Sequence, residues 1–161
     1  MRKRAKIALG MITGAVWALA VVALPQFADV PFLPPPIALP GAFFAPGLVT
    51  VAMIGRLAQR RFFDDEIIDG AGFKPGSGAW VDQRVLSNTI EQLVLALVLW
   101  PFVALTLGGV VVVVMGFAFA LARLAFWAGY HLSPPMRGFG FAATFYPTLV
   151  ATVWALAAWV F

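Results

Sequence analysis

Apolar segments about as long as a bilayer is thick recur along this chain and leave it few ways to fold. They run over Ile7–Leu24, Ile37–Leu57, Arg84–Leu107, Val110–Tyr130 and Gly138–Phe161 of a 161-residue sequence. A helix of roughly 20 residues crosses the hydrocarbon layer with its backbone N–H and C=O groups bonded internally. The run Val110–Val114 has strand propensity, but a lone strand in lipid leaves those groups unpaired, so helix is expected there too. Charged residues are 11% of the chain and hydrophobic ones 62%, whereas a soluble globule carries roughly 25% charged residues. The sequence predicts an all-α integral membrane bundle.

The connectors carry their own signals. Ile7–Leu24 follows Arg2, Lys3, Arg4 and Lys6, as a signal peptide would. Its apolar core exceeds the roughly 7–15 residues of such peptides, and Pro25-Gln26-Phe27-Ala28 is a poor cleavage site, so a retained helix is expected. Pro25, Pro31, Pro34, Pro35 and Pro36 predict a stiff, extended connector over residues 25–36. Gln59 to Gln83 is polar and reads as an extramembrane loop. Its glycine-rich run Gly70–Gly78 lacks the order of a phosphate-binding loop, and Asp64-Asp65-Glu66 lacks the spacing of a calcium loop. A flexible loop and a solvated acidic turn near Arg60 and Arg61 are the expected roles. Gly108-Gly109 and His131–Arg137 read as tight turns.

Threading five helices with the N-terminus inside places all 11 Lys and Arg residues on the cytoplasmic side. The net charge of +4 is thus a sign of membrane orientation, and no nucleic-acid partner is implied. The chain has no cysteine, which excludes disulfides, a cysteine nucleophile and thiolate-held metals. A single histidine, His131, argues against a protein-only catalytic triad or a histidine metal site; an interfacial hydrogen-bonding role is expected for it. Trp154 and Trp159 suit an anchor at the far interface, and Gly10 to Gly14 makes one small-xxx-small match suited to a helix contact. Polar residues gather at one end of the helices, so no track for a transporter crosses the membrane.

Arg84, Asn88 and Glu91 fall within roughly 60° of one another on the third helix. Glu91 sits about 10 Å along the helix from Arg84, a depth at which an ionisable group needs a partner or a cavity. Arg123 precedes Tyr130 by two helical turns, and Arg137 follows across the turn holding Pro134-Pro135. Two readings fit. The arginines can reach back to the interface while Asn88 and Glu91 bond neighbouring helices. Alternatively, the same groups line an anion-binding pocket open to the cytoplasmic side.

The stretch Arg84-Val85-Leu86-Ser87-Asn88-Thr89-Ile90-Glu91 resembles the Arg-x-x-x-Asn-x-x-Glu signature of the MAPEG family, the membrane-associated proteins of eicosanoid and glutathione metabolism. Arg123-Leu124-Ala125-Phe126-Trp127-Ala128-Gly129-Tyr130, then Arg137 and Phe139-Gly140-Phe141, is similar to that family's third helix and the start of its fourth. The resemblance covers about Ile37 to Phe161 and is to a prokaryotic-type member, which implies a bacterial inner membrane. It implies a four-helix bundle over residues 37–161, assembled as a homotrimer, with residues 1–36 forming an additional helix and connector. It also implies glutathione as cosubstrate, bound near the cytoplasmic face between subunits, and a transferase or peroxidase acting on small lipophilic electrophiles. By that resemblance Arg84, Asn88 and Glu91 hold the peptide, with Glu91 suited to its ammonium group. Arg123 and Tyr130 line the pocket, Arg137 sits near the sulfur, and Arg56 aligns with an arginine ending the family's first helix. No metal is implied. The alternative is a non-catalytic assembly protein of the same fold. Several eicosanoid-forming members place tyrosine or histidine at the position of Phe126, and tyrosine at that of Gln92, so some pocket hydrogen bonds are missing here.

Overall fold

A computed structural model describes the backbone of residues 3–161 and the side chains from residue 4 onward, Pro134 excepted. Arg2, one of the basic residues flanking the first apolar segment, lies outside the described residues. The chain forms α1 (Lys3–Phe27), α2 (Pro35–Phe62), α3 (Gly78–Leu107), α4 (Gly109–Leu132) and α5 (Pro134–Val160). All five are long and apolar enough to cross a membrane, and no strand occurs among the described residues. The Val110–Val114 run is helical, as the lipid argument requires.

The helices extend further than the apolar segments, for local reasons. Pro35 and Pro36 open α2 and Pro134 and Pro135 open α5. A first-turn proline lacks only an N–H that would have no helical partner, and its fixed φ suits the helix. Read as breakers, these prolines make the connectors look longer than they are. Ser133 alone separates α4 from α5, so Arg137 lies in the first turn of α5 rather than in a loop. Gly108 alone separates α3 from α4, at φ +99°, a left-handed conformation that favours glycine. The Ser77 side chain caps α3, accepting from Trp80 N at 3.1 Å. Helix therefore begins before the end of the predicted polar loop and takes in Asp82.

Consecutive helices alternate in direction. The starts of α1, α3 and α5 and the ends of α2 and α4 meet at one end of the bundle, and every described Lys and Arg belongs to this half of its helix or to the α2–α3 loop. α4 is the most enclosed helix and touches all four others. Around it Trp100, Val103, Val111, Val112, Met115 and Phe119 form the far core, where Trp100 Nε1 donates to Thr148 Oγ1 at 3.1 Å. α1 packs along α5 in the same direction. That pairing places α1 beside the first turns of α5, where Arg137 lies.

Candidate functional site

At the basic end, α4 and α5 touch backbone to backbone. A Cβ on Gly129 would lie 2.3 Å from Arg137 N, and one on Gly140 would lie 2.4 Å from Phe126 N. Any larger residue at either position would push the helices apart. This contact sets Tyr130 and Arg137 side by side, with the Arg137 guanidinium 5.0 Å from the centre of the Tyr130 ring. Tyr130 in turn packs edge-on against Phe126 at 5.0 Å.

Arg123 is wholly buried beneath this pair. Its Nη1 donates to Asn88 Oδ1 at 2.9 Å, and its Nη2 donates to Gly140 O at 3.1 Å and to Thr144 Oγ1. The Phe126 ring lies against the guanidinium at 4.3 Å. Asn88 Nδ2 donates to Glu91 Oε2 at 3.1 Å, so the Asn88 amide relays between a cation and an anion with each end correctly paired. Among the described residues Arg123 Nε is buried without a partner, and no carboxylate lies within ion-pairing distance of Arg123. A buried guanidinium with only neutral acceptors is costly, and a nearby anion relieves that cost.

Asn88, Tyr130 and Arg137 line one side of an open cavity of about 450 Å³, with Phe126, Phe141 and Gly138 around it and Ile7 and Met11 of α1 opposite. Ligand pockets run from roughly 300 to 1,000 Å³. The single chain thus brings Asn88, Tyr130 and Arg137 to one cavity, with Arg123 directly behind. Glu91 joins through Asn88, but its side chain faces outward. Arg84 lies exposed over the Trp80 ring at 4.2 Å, and Arg56 is exposed and donates to Gln59 Oε1 at 2.6 Å. Neither lines this cavity. The motifs gave no hint of Ile7 and Met11, which belong to α1.

A second polar cluster was not foreseen. Asp82 is buried, and its Oδ2 accepts from Arg60 Nε of α2 at 2.6 Å. Its Oδ1 accepts from Trp127 Nε1 and lies 2.7 Å from His131 Nε2, both on α4. A carboxylate only accepts, so the Nε2 of His131 carries the proton of that contact. Asp82, Arg60, Trp127 and His131, with Arg56, border a shallow cavity of about 310 Å³. The signal was available: Asp82, Val85, Thr89, Gln92, Ala96 and Trp100 form one helical stripe, and all are buried. Placing Asp82 in the loop hid it.

The α2–α3 loop is organised by Arg61, which donates to Ile67 O and Ala71 O at 3.2 and 3.1 Å and covers the Phe73 ring. Asp64 Oδ1 accepts from Glu66 N, and Lys74 pairs with Glu66 in the open. Hydrogen bonding and charge from Lys74 lower the Glu66 pKa below the ordinary carboxylate value. No cluster of metal-ligating side chains occurs among the described residues.

The sequence model of the MAPEG family matches residues 39–157, from the second turn of α2 to the last turn of α5, and leaves α1 outside. No curated protein and no solved structure matches the chain.

Proposed function

This chain belongs to the MAPEG family, and from that premise we propose a membrane-embedded, glutathione-dependent transferase or peroxidase that activates a thiol for attack on small lipophilic electrophiles. The family holds non-catalytic members as well as transferases and peroxidases. The observation that carries the catalytic reading is the cavity of about 450 Å³ faced by Arg137, Asn88 and Tyr130, with the uncompensated Arg123 behind it. This arrangement suits an anionic ligand.

In this reading the glutathione sulfur lies beside Arg137. A thiol of pKa near 8.5 is mostly protonated at neutral pH, and only its thiolate is strongly nucleophilic. A guanidinium stays charged and stabilises the thiolate without exchanging a proton itself. The thiol proton leaves to water, and the sulfur lone pair then forms the bond to the electrophilic carbon as the electron pair of the bond broken there departs with the leaving anion or, in an addition, shifts out of the activated double bond and takes up a proton from water. Tyr130 lines the pocket with Arg123 buried behind it, Asn88 holds the peptide, and Glu91 takes its ammonium group.

Arg56, Arg84 and Glu91 are exposed on the single chain. In the proposed homotrimer, with glutathione between subunits, they complete the site against a neighbouring copy. Residues 37–161 then form the trimer-building four-helix domain, and residues 1–36 an appended helix and connector. The distribution of Lys and Arg supports a cytoplasmic N-terminus and a site opening on that side; the bacterial inner membrane is the location that goes with a prokaryotic-type member of the family. The non-catalytic reading is favoured by one observation: Arg84 is already engaged with Trp80, and Arg56 with Gln59.

Calorimetric titration of the detergent-solubilised protein with glutathione, with thiolate absorbance followed in parallel, tests the proposal. Saturable binding with thiolate formation is expected, weakened in Glu91→Gln and with thiolate absent in Arg137→Ala. A folded protein that binds no glutathione sinks it.

A further inference from the structure

We propose that the helix outside the family match, α1, builds a channel for the hydrocarbon tail of the substrate and sets the tail length the protein accepts. The inference rests on the thiol-activating reading of the Arg137 cavity and adds to it a second binding region.

Met11 borders two cavities. One is the polar cavity of Arg137 and Asn88. The other is an apolar groove of about 400 Å³ between α1 and α5, lined by Met11, Ile12, Ala15, Leu19, Tyr146 and Val150 among others. From Met11 to Leu19 the groove follows α1 for about 12 Å towards the middle of the bundle. An amphiphile whose reacting head lies at Arg137 can therefore send its tail past Met11 into the groove. The polar end supplies the Arg137 guanidinium and the Asn88 amide, and the groove supplies almost nothing but hydrocarbon. That division matches one molecule with a polar or electrophilic head and an alkyl chain. Met11 is a flexible thioether suited to a movable partition.

The position of α1 is fixed closely enough for it to act as a wall. A Cβ on Gly10 would meet Pro135 O at 2.3 Å, and one on Gly14 would meet Ala142 Cβ at 2.4 Å. From the other side, a Cβ on Gly138 would meet Ile7 O at 3.1 Å. The two backbones are thus in contact within one turn of Ile7, Met11 and Arg137. A bundle lacking α1 would leave this side of the Arg137 cavity open to lipid and would have no groove.

The test uses S-alkyl glutathiones, product analogues that carry the peptide and the tail in one molecule, titrated by calorimetry into the full-length protein. Affinity should rise from S-methyl to S-hexyl, by at most about fourfold per added methylene. Ala15→Trp fills the groove without touching the polar cavity. It should bind S-methylglutathione as wild type does yet lose about tenfold or more of the S-hexyl gain. Partition of the tails into detergent is common to both proteins and cancels. If Ala15→Trp does not fold, Ile12→Trp serves, since Ile12 is 63% exposed. An S-hexyl gain equal in wild type and in a folded groove variant overturns the inference. If even S-methylglutathione fails to bind wild type, the thiol reading falls, and the groove is judged by a long-chain fatty acid with a diazirine at its tail. Labelling at Tyr146 and Val150 that Arg137→Ala abolishes supports the channel. Labelling spread evenly over the outer faces of α2 and α3 means bilayer contact alone and overturns it.

Discussion

Asp82 and Arg123 are both charged side chains buried among apolar helices at the same end of the bundle, yet they are satisfied in different ways. Asp82 receives Arg60, Trp127 and His131, so both carboxylate oxygens are engaged and α2, α3 and α4 are tied at one atom cluster. Arg123 has Asn88, Gly140 and Thr144, all neutral, and among the described residues its buried Nε has no partner. The first cluster is saturated and has little left to offer a ligand. The second carries an uncancelled charge behind a cavity. Burial of charge by itself therefore does not mark a functional site; what separates the two clusters is whether the charge has been answered.

The largest expected effect breaks the saturated cluster. Asp82→Ala leaves Arg60, Trp127 and His131 without their shared acceptor beside a shallow cavity. Removing one partner of a fully buried ion pair costs about 3–5 kcal/mol, and because water can reach part of the Arg60 side chain the expected cost here is about 2–3 kcal/mol. Thermal unfolding in detergent, followed by helical circular dichroism, should register a loss of that order. A loss below about 1 kcal/mol would mean that the cluster is wetter and looser than its geometry implies.

Arg123→Met sharpens the contrast from the other side. Replacing a poorly compensated buried charge by an apolar residue of similar length is commonly neutral or stabilising, by about 1–4 kcal/mol. Here Asn88 Oδ1 loses its donor, which offsets part of the gain, so a change between zero and about +2 kcal/mol is expected. Glutathione binding, by contrast, should weaken in calorimetry. A strongly destabilised Arg123→Met protein would show that Arg123 is structural after all, and the two clusters would be of one kind.

Arg137→Ala should separate stability from chemistry most cleanly. Its guanidinium packs on Tyr130 at the edge of a cavity rather than inside the core, so unfolding should shift by no more than about 0.5 kcal/mol. Turnover of a lipophilic electrophile should fall about 10²-fold or more, the scale seen when one stabilising donor is lost. Equal falls in stability and in rate would assign Arg137 to packing.

Much of this was legible in the chain. Five apolar segments, the prolines between them and the one-sided distribution of Lys and Arg are enough for an all-helical membrane bundle, because lipid tolerates few alternatives. Asn88, Arg123, Tyr130 and Arg137 were legible as a group through motif spacing. Asp82 was not, because glycines and charges around it signal a loop, while the Ser77 cap that starts the helix is one ordinary residue among them. The nearness of α1 to the Arg137 cavity was legible only in outline. Gly10 and Gly14 announce a helix contact, but the choice of α5 as partner depends on three-dimensional fit that spacing does not encode. The separation of Arg84 and Arg56 from the cavity has a similar origin. Helical phase fixes which face a residue shares, and local partners such as Trp80 and Gln59 then decide where a long side chain ends.

The smallest expected effect lies in the loop, where Lys74 and Glu66 pair in full contact with solvent. They are the exposed counterpart of the Arg60–Asp82 pair, with the same charges and none of the burial. Lys74 lowers the Glu66 pKa, and Glu66 raises that of Lys74. A carboxyl whose folded pKa lies below its unfolded one stabilises the fold above the unfolded value, and that contribution is lost as pH falls through the folded value. The lysine, with its pKa raised, contributes below its unfolded value and stops contributing as pH rises through the folded one. In between, the pair is intact, but water and salt screen it on both sides. Lys74→Ala should therefore return the Glu66 titration, read by carbon NMR of its carboxyl, towards the ordinary carboxylate range. The unfolding temperature should stay where it was at neutral pH. A clear fall in that temperature would mean that the loop is braced by this pair rather than by Arg61, whose bonds to Ile67 O and Ala71 O the substitution leaves in place.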